Sequence, residues 1–216
     1  MESNKIQKVV IAGGGTAGWM VAASLAKLLG KNLQITLVES EQIGTVGVGE
    51  ATIPTILTLH ELLKIKEQDF LVAPQGTFKL GISFESWKDV GEDYIHSFGF
   101  TGQDSWAAGF QHFWLKGTEL GIASEYGEYC KEWVAAKQNR FAVIPHQGTA
   151  KGLNYAYHID ASLYAKMLRK IAEEYGAVRQ EGKIEEVEQD PESGFIAALK
   201  MDSGQRIEGD LFIDCT

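Results

Sequence analysis

Cysteine is scarce in this chain: only Cys130 and Cys215 occur among 216 residues, far apart and outside any Cys-x-x-Cys or Cys/His spacing. That speaks against a zinc site or a disulfide framework and predicts two reduced thiols, as in a cytosolic protein. Long apolar runs are missing as well. The first run, Lys8-Val9-Val10-Ile11-Ala12, is too short for a signal-peptide core or a membrane span and leads straight into glycines. The sequence therefore predicts a cytoplasmic protein with no membrane partner. No Lys/Arg-rich block offsets the acidic average, with a formal net charge of −9 and a pI near 5.1. That balance argues against nucleic acid as a partner. The sequence also lacks a Gly-x-Ser-x-Gly motif, a metal-ligand cluster, an internal repeat, a low-complexity tract and an interdomain linker.

What is present is the profile of a packed globular protein: 44% apolar, 10% aromatic and 23% charged residues. The length suits one substantial domain, or one and a fraction. Lys8 to Ala12 reads as a strand buried on both faces, Gly13 to Gly15 as a turn, and Ala17 to Leu29 as a helix with Gly30 at its C-cap. Leu33 to Glu39 is a second, β-branched strand. This βαβ unit requires a parallel sheet.

Further on, Ser40 to Pro54 reads as glycine-punctuated loop, Ile56 to Leu63 as helix and Thr77 to Trp87 as one alternating strand. The aromatic-rich stretch from Asp89 to Thr149 is read as a partial substrate-side insertion, with helices around Phe110 to Gly121 and Tyr126 to Lys137. Tyr155 to Ile159 is a strand, and Asp160 caps a helix from Ala161 to Tyr175 that Gly176 closes. Gly182 to Leu211 is a meander of three short strands with turns at Asp190–Gly194 and Asp202–Gly204. The final residues, Asp210 to Thr216, read as a buried strand, which predicts a fragment with more sequence downstream.

The chemistry starts at Gly13-x-Gly15-x-x-Gly18, placed between a strand and a helix. The first glycine permits the tight turn, the second lets backbone approach a pyrophosphate, and the third lets helix pack on strand. Phosphates then meet unpaired amides at the helix N-terminus. Glu39 ends the next strand about twenty residues on, where a carboxylate accepts hydrogen bonds from ribose hydroxyls and disfavours a 2′-phosphate. The fingerprint alone does not separate NAD from FAD. The next segment, Gly44 to Pro54, has glycines at alternate positions and reads as a flexible strap facing a ligand.

Taken in order, Gly13 to Met20 (GGGTAGWM), Gly47 to Pro54 (GVGEATIP) and Phe78 to Phe84 (FKLGISF) resemble the successive signatures of flavin-dependent tryptophan halogenases. Tyr157-His158-Ile159-Asp160 and the tail Asp210 to Thr216 are similar too, so the likeness runs from about residue 6 to 216, least distinctively between Asp89 and Thr149. It implies an α/β, Rossmann-like FAD-binding fold of the flavin monooxygenase type, a parallel central sheet plus a β-meander, truncated within residues 1–216. It implies non-covalent FAD, bound as FADH2, lined by Gly13, Gly14, Gly15, Thr16, Ala17, Gly18, Glu39, Ser40, Ile43, Val46, Gly49 and Ala51, with Val187 near the adenine. The strap from Gly44 to Ala51 would lie over the flavin.

The same resemblance assigns the catalytic role to Lys79. FADH2, O2 and halide together yield a hypohalous acid that travels along a tunnel to this lysine, which delivers electrophilic halogen to an aromatic ring. An ammonium polarises HO–X, a neutral amine is itself halogenated, and burial brings both forms within reach. From the alternating pattern alone, Lys79 would face solvent. His96 and Phe98 are expected to wall the substrate pocket, while Trp106, Phe110, Phe113 and Trp114 are stacking candidates that equally suit packing. Expected partners are a small aromatic substrate, a halide ion and a separate NAD(P)H-dependent flavin reductase, with no metal. Two other readings stay open: a hydroxylating flavin monooxygenase in which Lys79 is incidental, and a non-catalytic FAD-binding fragment. The family's Trp-x-Trp-x-Ile-Pro motif and the glutamate that works with the lysine are absent from these residues.

Overall fold

The computed structural model of the protein describes residues 5–43, 49–143 and 152–216. The chain begins with β1 (Lys8–Ala12), α1 (Thr16–Leu29), β2 (Gln34–Glu39), β3 (Gly49–Ala51), α2 (Thr55–Leu62) and α3 (Glu67–Val72). It continues through β4 (Thr77–Lys79), β5 (Gly81–Glu85), β6 (Asp93–Ser97), α4 (Phe110–Glu119) and α5 (Lys131–Lys137). The last third holds β7 (Ala156–Asp160), α6 (Ala161–Glu174), β8 (Val178–Glu181), β9 (Ile184–Gln189), β10 (Ile196–Met201), β11 (Arg206–Glu208) and β12 (Leu211–Asp214). Two compact units emerge. Met1–Glu50, Thr58–Gly76 and Ile159–Thr216 form the first; Ala51–Leu57 and Thr77–His158 form the second. Among the described residues no helix is long and apolar enough to cross a membrane.

The first unit is built on a parallel sheet ordered β12-β1-β2-β8. Val9, Val10 and Ile11 are all buried because this strand is covered on both faces. On one face Leu37 lies beneath Gly18 of α1, and α1 packs against α6. The buried residues of α6 (Ala161, Tyr164, Ala165, Leu168 and Ala172) recur at helical spacing, giving one apolar stripe. Asp160 caps that helix by accepting from the Leu163 amide at 2.8 Å, which satisfies one otherwise orphaned donor. On the other face Val10 and Val38 meet Leu199, Met201 and Ile207 of the β9–β10–β11 meander. The layers are therefore helices, parallel sheet and antiparallel meander.

Some strand assignments change. The stretch expected to be loop from Ser40 to Pro54 contains β3, and the final strand is an edge strand: Leu211 is 40% exposed, paired in parallel with Val9. The uninterrupted apolar run Leu211-Phe212-Ile213 hid the difference, because such a run reads alike at an edge and in the interior.

In the second unit the single strand expected from Thr77 to Trp87 is two. β4 pairs antiparallel with β7, matching Lys79 to Ala156, whereas β5 pairs with β6, matching Gly81 to Ser97. Leu80 leaves the ladder between them, and its carbonyl accepts from the Phe98 amide at 2.9 Å. The helix expected from Tyr126 to Lys137 is a 3-10 turn followed by α5.

Candidate active site

The glycine turn does in space what its spacing demands. Gly13 has φ +109, and a Cβ there would run into the Cys215 carbonyl. A Cβ on Gly18 would strike the Gly13 carbonyl, so α1 can lie close to the turn only with glycine at that position. Gly15 is different: a Cβ there would meet nothing within 4 Å. It faces a cavity of about 450 Å³, and it is the N-cap of α1 without any side-chain cap and without an acidic residue in the first turn. The first amides of that helix are left for an outside anion, and the site offers the room and the dipole that a dinucleotide's diphosphate needs. The residues present thus fit such a group.

Gly13 to Thr16 form one wall of that cavity, with Glu39, Ser40 and Ile43 on another. Val38, Glu50, Ala161, Gly182, Ile184, Cys215 and Thr216 complete it, positions that sequence alone had not assigned to the cofactor site. Ala17 sits exposed on the outer side of the first turn, and Gly18 is buried beneath it. Gly49 and Ala51 are exposed in β3 and do not line this cavity. Val187 lies outside it as well, on β9 opposite Leu199 and 48% exposed. Val46, with the strap residues 44–48, falls outside the described residues.

Glu39 closes the cavity and is held from two sides. Oε1 accepts from Arg179 Nε, with Arg169 Nη1 at 3.8 Å. Oε2 accepts from the Trp19 indole at 3.3 Å, and that indole is 1% exposed. Hydrogen bonding to Glu39 raises the Arg179 pKa further.

The second unit carries Lys79. Its pattern-based solvent exposure is not observed, for the residue is only 7% exposed. Nζ donates to the Thr52 carbonyl at 2.9 Å and stands 5.3 Å from the Phe98 ring centroid. Among the described residues Lys79 forms no ion pair. Burial without a counter-charge lowers its pKa. The neighbouring His158 is lowered too, by desolvation first and by the Lys79 charge second. A cavity of about 390 Å³ adjoins the lysine, lined among others by Ser83, Ile95, Arg140, Phe141 and His158. Phe78 and Phe141 stack at 3.8 Å on its edge.

Of the two expected substrate residues, Phe98 stands beside the lysine. His96 is exposed on β6 opposite Ile82, on the strand face away from Ile95. Trp106 is exposed, whereas Phe110 and Trp114 pack on Tyr126, at 6.0 and 5.0 Å.

Comparison with known proteins places the chain in a family. Residues 8–216 match the family model described as tryptophan halogenase. The chain is 35% identical to the tryptophan 7-halogenase RebH of Lentzea aerocolonigenes, over 99% of this chain and 43% of that protein. It is 36% identical to the 7-chloro-L-tryptophan 6-halogenase KtzR of Kutzneria sp. (strain 744), over 96% of this chain and 44% of the relative. Among solved structures, a flavin-dependent halogenase from Xanthomonas campestris superposes with a TM-score of 0.90 at 61% identity, covering 98% of this chain and 42% of its own. BrvH, a flavin-dependent halogenase from Brevundimonas sp. BAL3, gives 0.87 at 43% identity, covering 99% and 42%. The chain therefore spans less than half the length of the relatives it matches, and over that span it belongs to the tryptophan halogenase family.

Proposed function

We propose that the protein is an FADH2-dependent halogenase that replaces a ring hydrogen of tryptophan, an indole or another electron-rich aromatic by chlorine or bromine. In this reading the first unit holds FAD, with the diphosphate at the start of α1 and the ribose at Glu39. Ser40 and Ile43 contact the cofactor, and the strap that includes Val46, Gly49 and Ala51 covers the flavin. Val187 belongs to the adenine side. When bound, the reduced flavin supplies two electrons to O2, which together with halide gives a hypohalous acid and water.

The observation that carries the reading is Lys79: a sequestered amine with one hydrogen bond, no acidic partner among the described residues, and an aromatic ring at 5.3 Å. As an ammonium it donates to the oxygen of HO–X. The ring carbon–halogen bond forms as the O–X bond breaks, the oxygen leaves as water with the ammonium's proton, and the ring's displaced proton restores the charge. The lowered pKa places that proton transfer closer to neutral pH. Phe98 and His96 are assigned to the substrate side. A separate NAD(P)H-dependent reductase supplies FADH2, in a cytoplasm that suits the free Cys130 and Cys215.

The test is direct. The full-length protein, supplied with enzymatically reduced FAD, O2, bromide and indole, should yield brominated product by mass spectrometry. Lys79→Ala should lose at least about a hundredfold in product, within the range for removing a proton-transfer group, while flavin oxidation by O2 continues. Retained bromination in that variant removes the lysine from the mechanism.

A further inference from the structure

The grip on Glu39 has no counterpart in the dinucleotide fingerprint. Arg179 lies on β8 opposite Leu37, two residues before Glu39 on the adjacent parallel strand. Positions two apart share a face, so the arginine reaches forward along the same face to the carboxylate. Its Nε binds Glu39, while Nη2 binds Glu181 and stands 3.1 Å from Glu41. One guanidinium thus bridges three carboxylates at the strand ends that border the cavity. Glu41 is drawn in further, because its amide donates to Glu181 at 2.9 Å.

The other side of Glu39 is equally defined. Oε2 overhangs Gly14, where any Cβ would collide with it, and accepts from the buried Trp19 indole. A carboxylate offers about four lone-pair sites. Arg179 and Trp19 occupy two, which leaves two for the two O–H donors of a ribose diol.

We propose that Arg179 is a positioning residue for the adenosine half of FAD, acting through Glu39. It fixes the carboxylate above Gly14 with acceptor capacity to spare. This inference rests on the FAD reading of the cavity.

The experiment measures flavin affinity of the full-length protein by fluorescence titration with FAD and with FMN, which lacks the adenosine ribose. The variants are Arg179→Gln, Arg179→Lys, Glu39→Gln and the double variant Arg179→Gln/Glu39→Gln. Arg179→Gln is expected to weaken FAD about tenfold and leave FMN unchanged, an interaction acting through one hydrogen-bonded charge. Arg179→Lys should restore less than half of that loss, because a single ammonium cannot fork between Glu39 and Glu181. In the Glu39→Gln background the arginine substitution should add no further loss. Unchanged FAD affinity in Arg179→Gln overturns the proposal, and so do equal losses for FAD and FMN or losses that multiply in the double variant. If Arg179→Gln does not fold, Arg179→Lys decides: an FAD affinity equal to the parent's overturns it. A parent protein that binds no FAD defeats the cofactor reading itself, whereas parent binding with an insensitive Arg179 removes this inference alone.

Discussion

Lowering the pH should loosen the first unit through a single imidazole, His60. This side chain is 5% exposed, tilted against Phe70 at 4.3 Å, with Nε2 2.9 Å from the Tyr164 hydroxyl oxygen. Desolvation pulls its pKa from 6.5 down to about 4, against a smaller opposing pull from Glu67. The unfolded chain takes up its proton near pH 6.5, whereas the folded chain resists until about 4. Stability is therefore whole above pH 6.5 and falls as the pH drops through that window. At about 1.4 kcal/mol per unit, the linkage removes about 2 kcal/mol by pH 5 and about 3 kcal/mol by pH 4. Urea unfolding of the parent and of His60→Gln, each at pH 7, 6, 5 and 4, isolates the residue, because glutamine keeps a hydrogen bond and cannot titrate. The difference between the two proteins should shrink by that amount as the pH falls. Parallel curves would refute the reasoning, since they would mean the imidazole titrates alike in both states.

Gly18→Ala should cost about 2–4 kcal/mol and abolish FAD binding, because the new methyl strikes the Gly13 carbonyl in a packed interior; thermal melting and flavin titration read the two effects. Asp160→Ala removes the cap on the Leu163 amide and should cost about 1 kcal/mol, with Asp160→Asn costing less than half of that in chemical denaturation. Leu168→Ala, in the fully buried stripe of α6, should cost about 2–5 kcal/mol in the same assay. Arg206→Ala breaks only surface pairs with Glu188 and Glu208 and should leave the denaturation midpoint essentially where it is in the parent.

Much of the first unit was readable because local signals coincide there. β1, α1 and β2 announce themselves by an apolar run, helical spacing and β-branching, and Asp160 marks a helix start in a single residue. β8 escaped notice: Val178-Arg-Gln-Glu181 has one apolar residue, and its place beside β2 comes from the crossover through α6 rather than from its own pattern. Arg179 was invisible for the same reason. Its meaning depends on a neighbour in another strand. Lys79 shows the converse. Its alternating context points outward, and only the fold supplies the Thr52 carbonyl and the Phe98 ring that enclose it. The motif's likeness identified the residue, but its burial is a tertiary fact.

The glycine turn also leans on the far end of the chain. Gly13 packs on the Cys215 carbonyl, the Cys215 amide donates to Ala12 at 2.8 Å, and β12 completes the sheet beside β1. On the ribosome, β1 emerges some two hundred residues ahead of the partner that seals its edge, as the separation of 203 between Gln7 and Asp210 records. At about 5–20 residues per second, that edge waits roughly 10–40 s. Through that interval the nascent chain exposes an unsatisfied ladder to chaperones and to its own copies on the same message. On the proposed FAD reading, the glycine turn gains its Cys215 support, and so its finished shape, only after the sheet has closed.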